Sequence, residues 1–135
     1  MKVSFDFDGT LSESHVQEYA KELVDRGIEV WIVTSRFENA KRYNDFFNET
    51  VLIEQNHNDL WEAVENTGIP KEQIHFTNME DKSDFLREKG FVWHLDDDWG
   101  QNRLILNTAK MPAINVRKSA WKNKCERLLD RSQSL

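Results

Sequence analysis

Short β-branched and aromatic runs alternate along the chain with stretches whose apolar residues recur at helical spacing. Val3–Phe7 is a short strand candidate. Ser12-Glu13-Ser14 offers helix N-cap chemistry, and Val16, Tyr19, Ala20, Leu23 and Val24 follow at helical spacing up to Gly27. Val30-Trp31-Ile32-Val33 is a continuous apolar run of the kind buried on both faces of a parallel sheet. Glu38–Asn48 reads as a helix. Thr50–Ile53 reads equally as an edge strand or a loop. Asn58 can cap a helix carrying Leu60, Trp61 and Val64, which ends at Gly68. Ile74–Thr77 is a third strand, Asp81–Lys89 a helix closed by Gly90, and Phe91–Leu95 a fourth strand. Gln101–Asn107 is a short helix and Ala113–Val116 a fifth strand. Ser119–Asp130 is a closing helix with Trp121, Cys125, Leu128 and Leu129 inward. Strands alternating with helices predict an α/β domain with a parallel sheet of at least five strands.

Length and composition narrow this picture. The 135 residues suffice for a single domain, 1–135, with one core. Apolar residues make up 39% and charged residues 31%, which suits a globular rather than a disordered chain. No apolar run is long enough to span a membrane, and the first residues carry acids inside an apolar strand, unlike a signal peptide. Cys125 is the lone cysteine, so no internal disulfide can form. These features together make the cytoplasm the expected location. The net charge of −6 argues against broad nucleic-acid binding. It is unevenly spread: from Lys110 onward seven cations face two acids, so this tail is +5 and residues 1–109 carry −11.

Part of that −11 sits at strand ends, where ligands bind in open parallel sheets. The first strand ends in Asp6-Phe7-Asp8-Gly9-Thr10. Residues i and i+2 of a strand face one side, so Asp6 and Asp8 can point at one spot. Two carboxylates that close repel unless a cation lies between them, and Mg²⁺, held by oxygens, meets that need. Gly9 allows a sharp exit and a close backbone approach. The second strand ends in Thr34-Ser35-Arg36, hydroxyls and a guanidinium suited to a phosphate. The fourth ends in Leu95-Asp96-Asp97-Asp98, more acids than a turn needs. Lys82 opens the helix before it. His94 lies inside the fourth strand as a packed or hydrogen-bonded residue, and His15, His57 and His75 show no ligand spacing. Cys125, Trp31, Trp61, Trp93 and Trp121 read as core.

These four pieces, in this order, resemble the haloacid dehalogenase (HAD) superfamily. The DxDGT motif is met by Asp6-Phe7-Asp8-Gly9-Thr10. The apolar strand ending in a hydroxyl is met by Trp31-Ile32-Val33-Thr34, the lysine by Lys82, and the acidic strand end by His94-Leu95-Asp96-Asp97. The resemblance spans about residues 1–116. It implies a Rossmann-like three-layer sandwich with strand order 3-2-1-4-5. It also implies Mg²⁺-dependent phosphomonoester hydrolysis through an aspartyl-phosphate. Asp6 would be the nucleophile, Asp8 the general acid and base, Thr34 a hydrogen-bond donor to the phosphoryl group, and Lys82 a charge neutraliser. Mg²⁺ would be held by the Asp6 side chain, the Asp8 backbone carbonyl and Asp97, with Asp96 acting through water or behind the ligands. Receiver domains, which use similar groups, place their acidic pair after the first strand, and the order here excludes them.

Many relatives insert a cap domain after the first or third strand. The spacings Thr10–Gly27 and Arg36–Lys82 leave no room for one, so a capless, open site is expected. Arg36 follows the second motif as in the phosphatase part of phage-type polynucleotide kinases. It makes Arg36 a phosphate-binding candidate with Ser35 and Gly9, and makes a nucleotide or polynucleotide phosphate end the favoured substrate. Phe37 and Trp99 would lie at the mouth, able to stack on a base, and the basic tail could guide a polyanion. A mononucleotide or other small phosphate ester is the second reading. A non-catalytic phosphate-binding or regulatory protein of the same fold is the third.

Overall fold

The computed structural model describes residues 1–39, 41–44, 50–53 and 56–133. Five parallel strands form its sheet: β1 (Lys2–Phe5), β2 (Glu29–Thr34), β5 (Ile74–Phe76), β6 (Phe91–Asp96) and β7 (Ala113–Asn115). Their spatial order is β5-β2-β1-β6-β7, the 3-2-1-4-5 order expected for the five parallel strands. The register sets Phe5 opposite both Ile32 and Leu95, Thr34 opposite Phe76, and Asp96 opposite Asn115. The carboxyl ends of these strands therefore lie along one edge.

Helices cover both faces of the sheet, making three layers. On one face α1 (Ser14–Asp25), α2 (Asn58–Thr67) and α5 (Trp121–Gln133) bury Val16, Tyr19, Leu23, Leu60, Val64, Cys125 and Leu129 against Val3, Phe5, Ile32, Trp93 and Leu95. On the other face α3 (Lys82–Leu86) and the segment following α4 (Trp99–Leu104) bury Leu86 and Ile105 against Val33 and Phe91. The central strands are apolar on both faces because both are covered. No helix among the described residues is long and apolar enough to cross a membrane.

The departures from expectation are local. The helix expected over Glu38–Asn48 is not formed in its described part. Lys41–Asn44 is β3, antiparallel to β4 (Thr50–Ile53), and the two make a separate ribbon. Residues 40 and 45–48 of that expected helix lie outside the described residues. Thr50-Val51-Leu52-Ile53 has strong strand propensity, and pairing with its chain neighbour satisfies its backbone. After β1 only a turn precedes α1, and after β5 only residues 77–81 precede α3, so neither position holds an inserted domain. The helix expected over Asp81–Lys89 stops at Leu86, because Arg87 is extended and Glu88 has φ 60°. Ser12 does not cap α1; its hydroxyl accepts the Gly9 N–H instead. Trp61, expected in the core, is exposed, with the Lys71 ammonium 5.5 Å from its ring. Trp93 is fully buried, and Trp31 and Trp121 are partly buried against the core.

Candidate active site

The strand ends converge on an open cleft of about 400 Å³ lined by Asp6, Asp8, Ser35, Lys82, Asp96, Asp97, Asp98 and Arg117. Asp6 follows β1 directly and is still tied to the sheet, its N–H donating to the Leu95 carbonyl at 2.8 Å. The chain then turns through residues 7–11. Leu11 and Ser12 donate back five residues to the Asp6 and Phe7 carbonyls, and Gly9 takes φ 76°. This wide turn, rather than continued strand, carries Asp8 to the same cleft as Asp6. It also brings Gly9 so near Asp97 that a Cβ on residue 9 would collide with the Asp97 carboxylate.

Lys82 holds the centre. It is 2% exposed, and its Nζ donates to Asp6 Oδ1 and to Asp96 Oδ2, each at 2.7 Å. Burying a lysine at the start of a five-residue helix is costly unless it is paired, and here two carboxylates from neighbouring strand ends pair it. Burial works against its charge, but Asp6 and Asp96 prevail and push its pKa up. Thr10 donates to Asp6 Oδ2 at 3.2 Å.

Asp96 is fully buried and saturated. Its Oδ2 also accepts from His94 Nε2 at 2.7 Å, and its Oδ1 accepts the Asp98 N–H at 3.0 Å. His94 Nδ1 lies 2.7 Å from Ser4 Oγ. Since Asp96 can only accept, His94 Nε2 carries the proton and Ser4 donates to Nδ1. Burial pushes the His94 pKa down, so the ring is neutral. Burial alone would raise the Asp96 pKa, but the hydrogen bond from His94 and the Lys82 charge hold it well below the carboxylate range. Asp6 shifts the other way. Its burial, then the Asp96 charge, push its pKa up to about 8 against the pull of Lys82. The buried group thus has two carboxylates for one ammonium, and without a further cation Asp6 keeps its proton.

Asp97, at the rim, is bonded by Arg117 Nη2 at 3.3 Å. Oxygens of Asp6, Asp96 and Asp97 lie within 4.8 Å of one another. Three carboxylates with oxygens this close could hold a hard metal cation. The saturation of Asp96 makes Asp97 the freer of the two.

Arg36 is held between two acids. Its guanidinium pairs with Asp8 (Nε–Oδ2 2.9 Å, Nη2–Oδ1 2.7 Å) and with Asp59 at the start of α2 (Nη1–Oδ1 2.9 Å, Nη2–Oδ2 2.8 Å). It also lies 4.8 Å from the Phe7 ring centroid. The Arg36 bond holds Asp59 below the usual carboxylate range. Arg36 therefore orients Asp8, which is itself exposed. Thr34 is fully buried, its Oγ1 accepting the Arg36 N–H at 3.3 Å, and the cleft is lined by Ser35 beside it. Trp99, expected at the mouth, is exposed with the Arg103 guanidinium over its ring and does not line the cleft.

Arg117, Thr10, His94 and Asp59 were not singled out as site residues from the sequence. The strand-end rule, applied to the fifth strand, leads to Arg117, and Thr10 stands within the first motif. The His94 and Asp59 roles depend on contacts across the fold and leave no local signal. A comparison with protein-family models, with curated proteins and with solved structures finds no match for this chain.

Proposed function

We propose that the protein is a capless HAD-type phosphatase, an Mg²⁺-dependent phosphomonoester hydrolase whose favoured substrate is a nucleotide or polynucleotide phosphate end. The observation that carries this reading is the buried Lys82 bridge between Asp6 and Asp96, with Asp97 alongside. It joins the expected nucleophile, lysine and acidic strand end in one cluster.

Asp6 attacks phosphorus through a carboxylate oxygen. A P–O bond to Asp6 forms as the bond to the leaving oxygen breaks, and Asp8 gives that oxygen its proton. Asp8, now a base, takes a proton from water, whose oxygen attacks the aspartyl-phosphate and releases inorganic phosphate and free Asp6. Arg36 keeps Asp8 oriented for both steps. Lys82 and Arg117 stabilise the charge on the phosphoryl oxygens, and Ser35 and Thr34 supply hydroxyls beside them. Mg²⁺, held by Asp6, the Asp8 carbonyl and Asp97, with Asp96 behind them, would supply Lewis-acid stabilisation of the phosphoryl charge.

Purified protein releases phosphate from an aryl phosphate with Mg²⁺ on this reading, and chelation stops it reversibly. Activity undiminished in excess EDTA, or no release in Mg²⁺ from aryl phosphate, mononucleotides or phosphorylated oligonucleotides, refutes the reading. Gly9→Ala tests the close approach to Asp97. The positive φ at residue 9 costs about 1 kcal/mol with a Cβ, so the variant folds. Its Asp97 carboxylate has to move, so the Mg²⁺ concentration giving half-maximal rate rises by about tenfold or more. An unchanged Mg²⁺ titration argues against Asp97 as a ligand.

A further inference from the structure

Beyond the cleft, a groove follows the outer edge of β7, between the α4 segment and α5. Its two connected hollows, of about 250 and 300 Å³, share Leu106, Ala113, Ile114 and Lys124. The first also carries Trp99, Asn102, Arg103 and Lys118; the second adds Arg127 and Arg131. The groove starts where the cleft stops, since Trp99 and Lys118 are the chain neighbours of the cleft residues Asp98 and Arg117.

Two features define its occupant. The first is charge. Five cations line the groove and no acid does among the described residues, in a chain whose net charge is −6. Among the described residues, none of Arg103, Lys118, Lys124, Arg127 and Arg131 forms a salt bridge. Glu126, an acid of the same helix, is spent on Tyr19 and Arg26. Lys124, Arg127 and Arg131 recur at i, i+3 and i+7, a row about 10 Å long on one face of α5. The second is Trp99, 66% exposed, with Arg103 4.9 Å from its ring centroid, which leaves a flat surface for stacking.

We infer that this groove binds a single-stranded oligonucleotide, whose phosphates meet the cations and whose bases stack at Trp99. This rests on the phosphatase reading only in making the strand's phosphorylated end the substrate; binding in the groove is independent of it.

The experiment measures binding of a fluorescent single-stranded oligonucleotide with hydroxyls at both ends, in EDTA, over a salt series. Wild-type protein binds it. Lys124→Gln/Arg127→Gln weakens binding and reduces the salt slope by about 1.4, or 0.7 per cation. Trp99→Ala weakens it at least about fivefold but leaves binding of heparin, a polyanion without bases, unchanged. The Gln pair leaves aryl phosphate turnover unchanged. No binding by wild type overturns the proposal. So does equal weakening by the control Lys71→Gln/Lys89→Gln, which lies outside the groove, or equal loss of heparin and oligonucleotide with Trp99→Ala. Dimerisation through β7 that blocks the oligonucleotide makes a second copy the occupant and also overturns it. If aryl phosphate is not hydrolysed but the oligonucleotide binds, the phosphatase reading fails and the groove stands; the reverse result fails the groove alone.

Discussion

On the proposed phosphatase reading, Asp6→Asn is expected to abolish phosphate release, with a loss on the order of 10⁴-fold or more, while the protein stays folded. The carboxamide is nearly the same size as the carboxylate, and its oxygen can still accept from Lys82 or Thr10. What it lacks is a nucleophilic anion. The loss should appear in kcat on every substrate, because the attack by Asp6 precedes all else. A near-normal rate would falsify covalent catalysis at this residue. The same variant carries a stability signature. Without metal, the Asp6 pKa of about 8 stands above its unfolded value of 3.8. Between these two values the unfolded chain has lost the Asp6 proton and the folded protein keeps it. The Asp6 contribution is therefore fully present below about pH 4 and is lost as pH rises through about 8. Asp6→Asn removes that dependence. In EDTA its melting temperature approaches that of wild type near pH 4 and exceeds it near pH 8. A variant less stable than wild type at pH 8 would show that Lys82 already compensates both carboxylates, leaving no surplus charge for a cation to meet.

The legible parts of this molecule are those where one local feature decides the outcome. Val30-Trp31-Ile32-Val33 has no polar face, so only a buried strand accommodates it, and β2 forms there. Gly68 ends α2 at φ 80° as its C-cap. Asp6, Asp8, Lys82, Asp96 and Asp97 fall at strand or helix ends, where the fold class directs attention before any coordinate is known. Legibility fails where a partner distant in sequence decides. Lys41–Asn44 has ordinary helical residues, and becomes a strand by pairing with Thr50–Ile53. Arg87, Glu88 and Lys89 are good helix formers, yet the chain leaves α3 before them to enter β6. The pairing of Arg36 with both Asp8 and Asp59, 23 residues later, likewise depends on contacts across the fold. Tertiary pairing of this kind outweighs propensity and leaves no trace at spacings a sequence pattern can test.

On the same proposed reading, Asp8→Asn is expected to separate the acid and base from the nucleophile. Asp8 is exposed, so the substitution gives up only a surface ion pair with Arg36 and leaves the fold intact. Attack by Asp6 still proceeds when the leaving group is an aryl oxygen, because a phenolate departs with little protonation. An alkoxide needs the proton, so turnover of alkyl phosphates falls further than that of aryl phosphates, the excess being on the order of 10²-fold. Hydrolysis of the aspartyl-phosphate then lacks its base, and the intermediate accumulates. Brief exposure to a radioactive aryl phosphate, with acid quenching, leaves label on Asp8→Asn that hydroxylamine releases, as it does acyl phosphates. Asp6→Asn takes none. Arg36→Gln shares the mark in weaker form if Arg36 serves to orient Asp8: its alkyl-to-aryl rate ratio falls in the same direction, whereas loss of a phosphate ligand would lower both rates together. Label on Asp6→Asn, or on no variant at any quench time, would place the covalent chemistry elsewhere or remove it. Equal losses on alkyl and aryl esters with Asp8→Asn would leave Asp8 without a proton to give, and its pairing with Arg36 would then be only a surface contact.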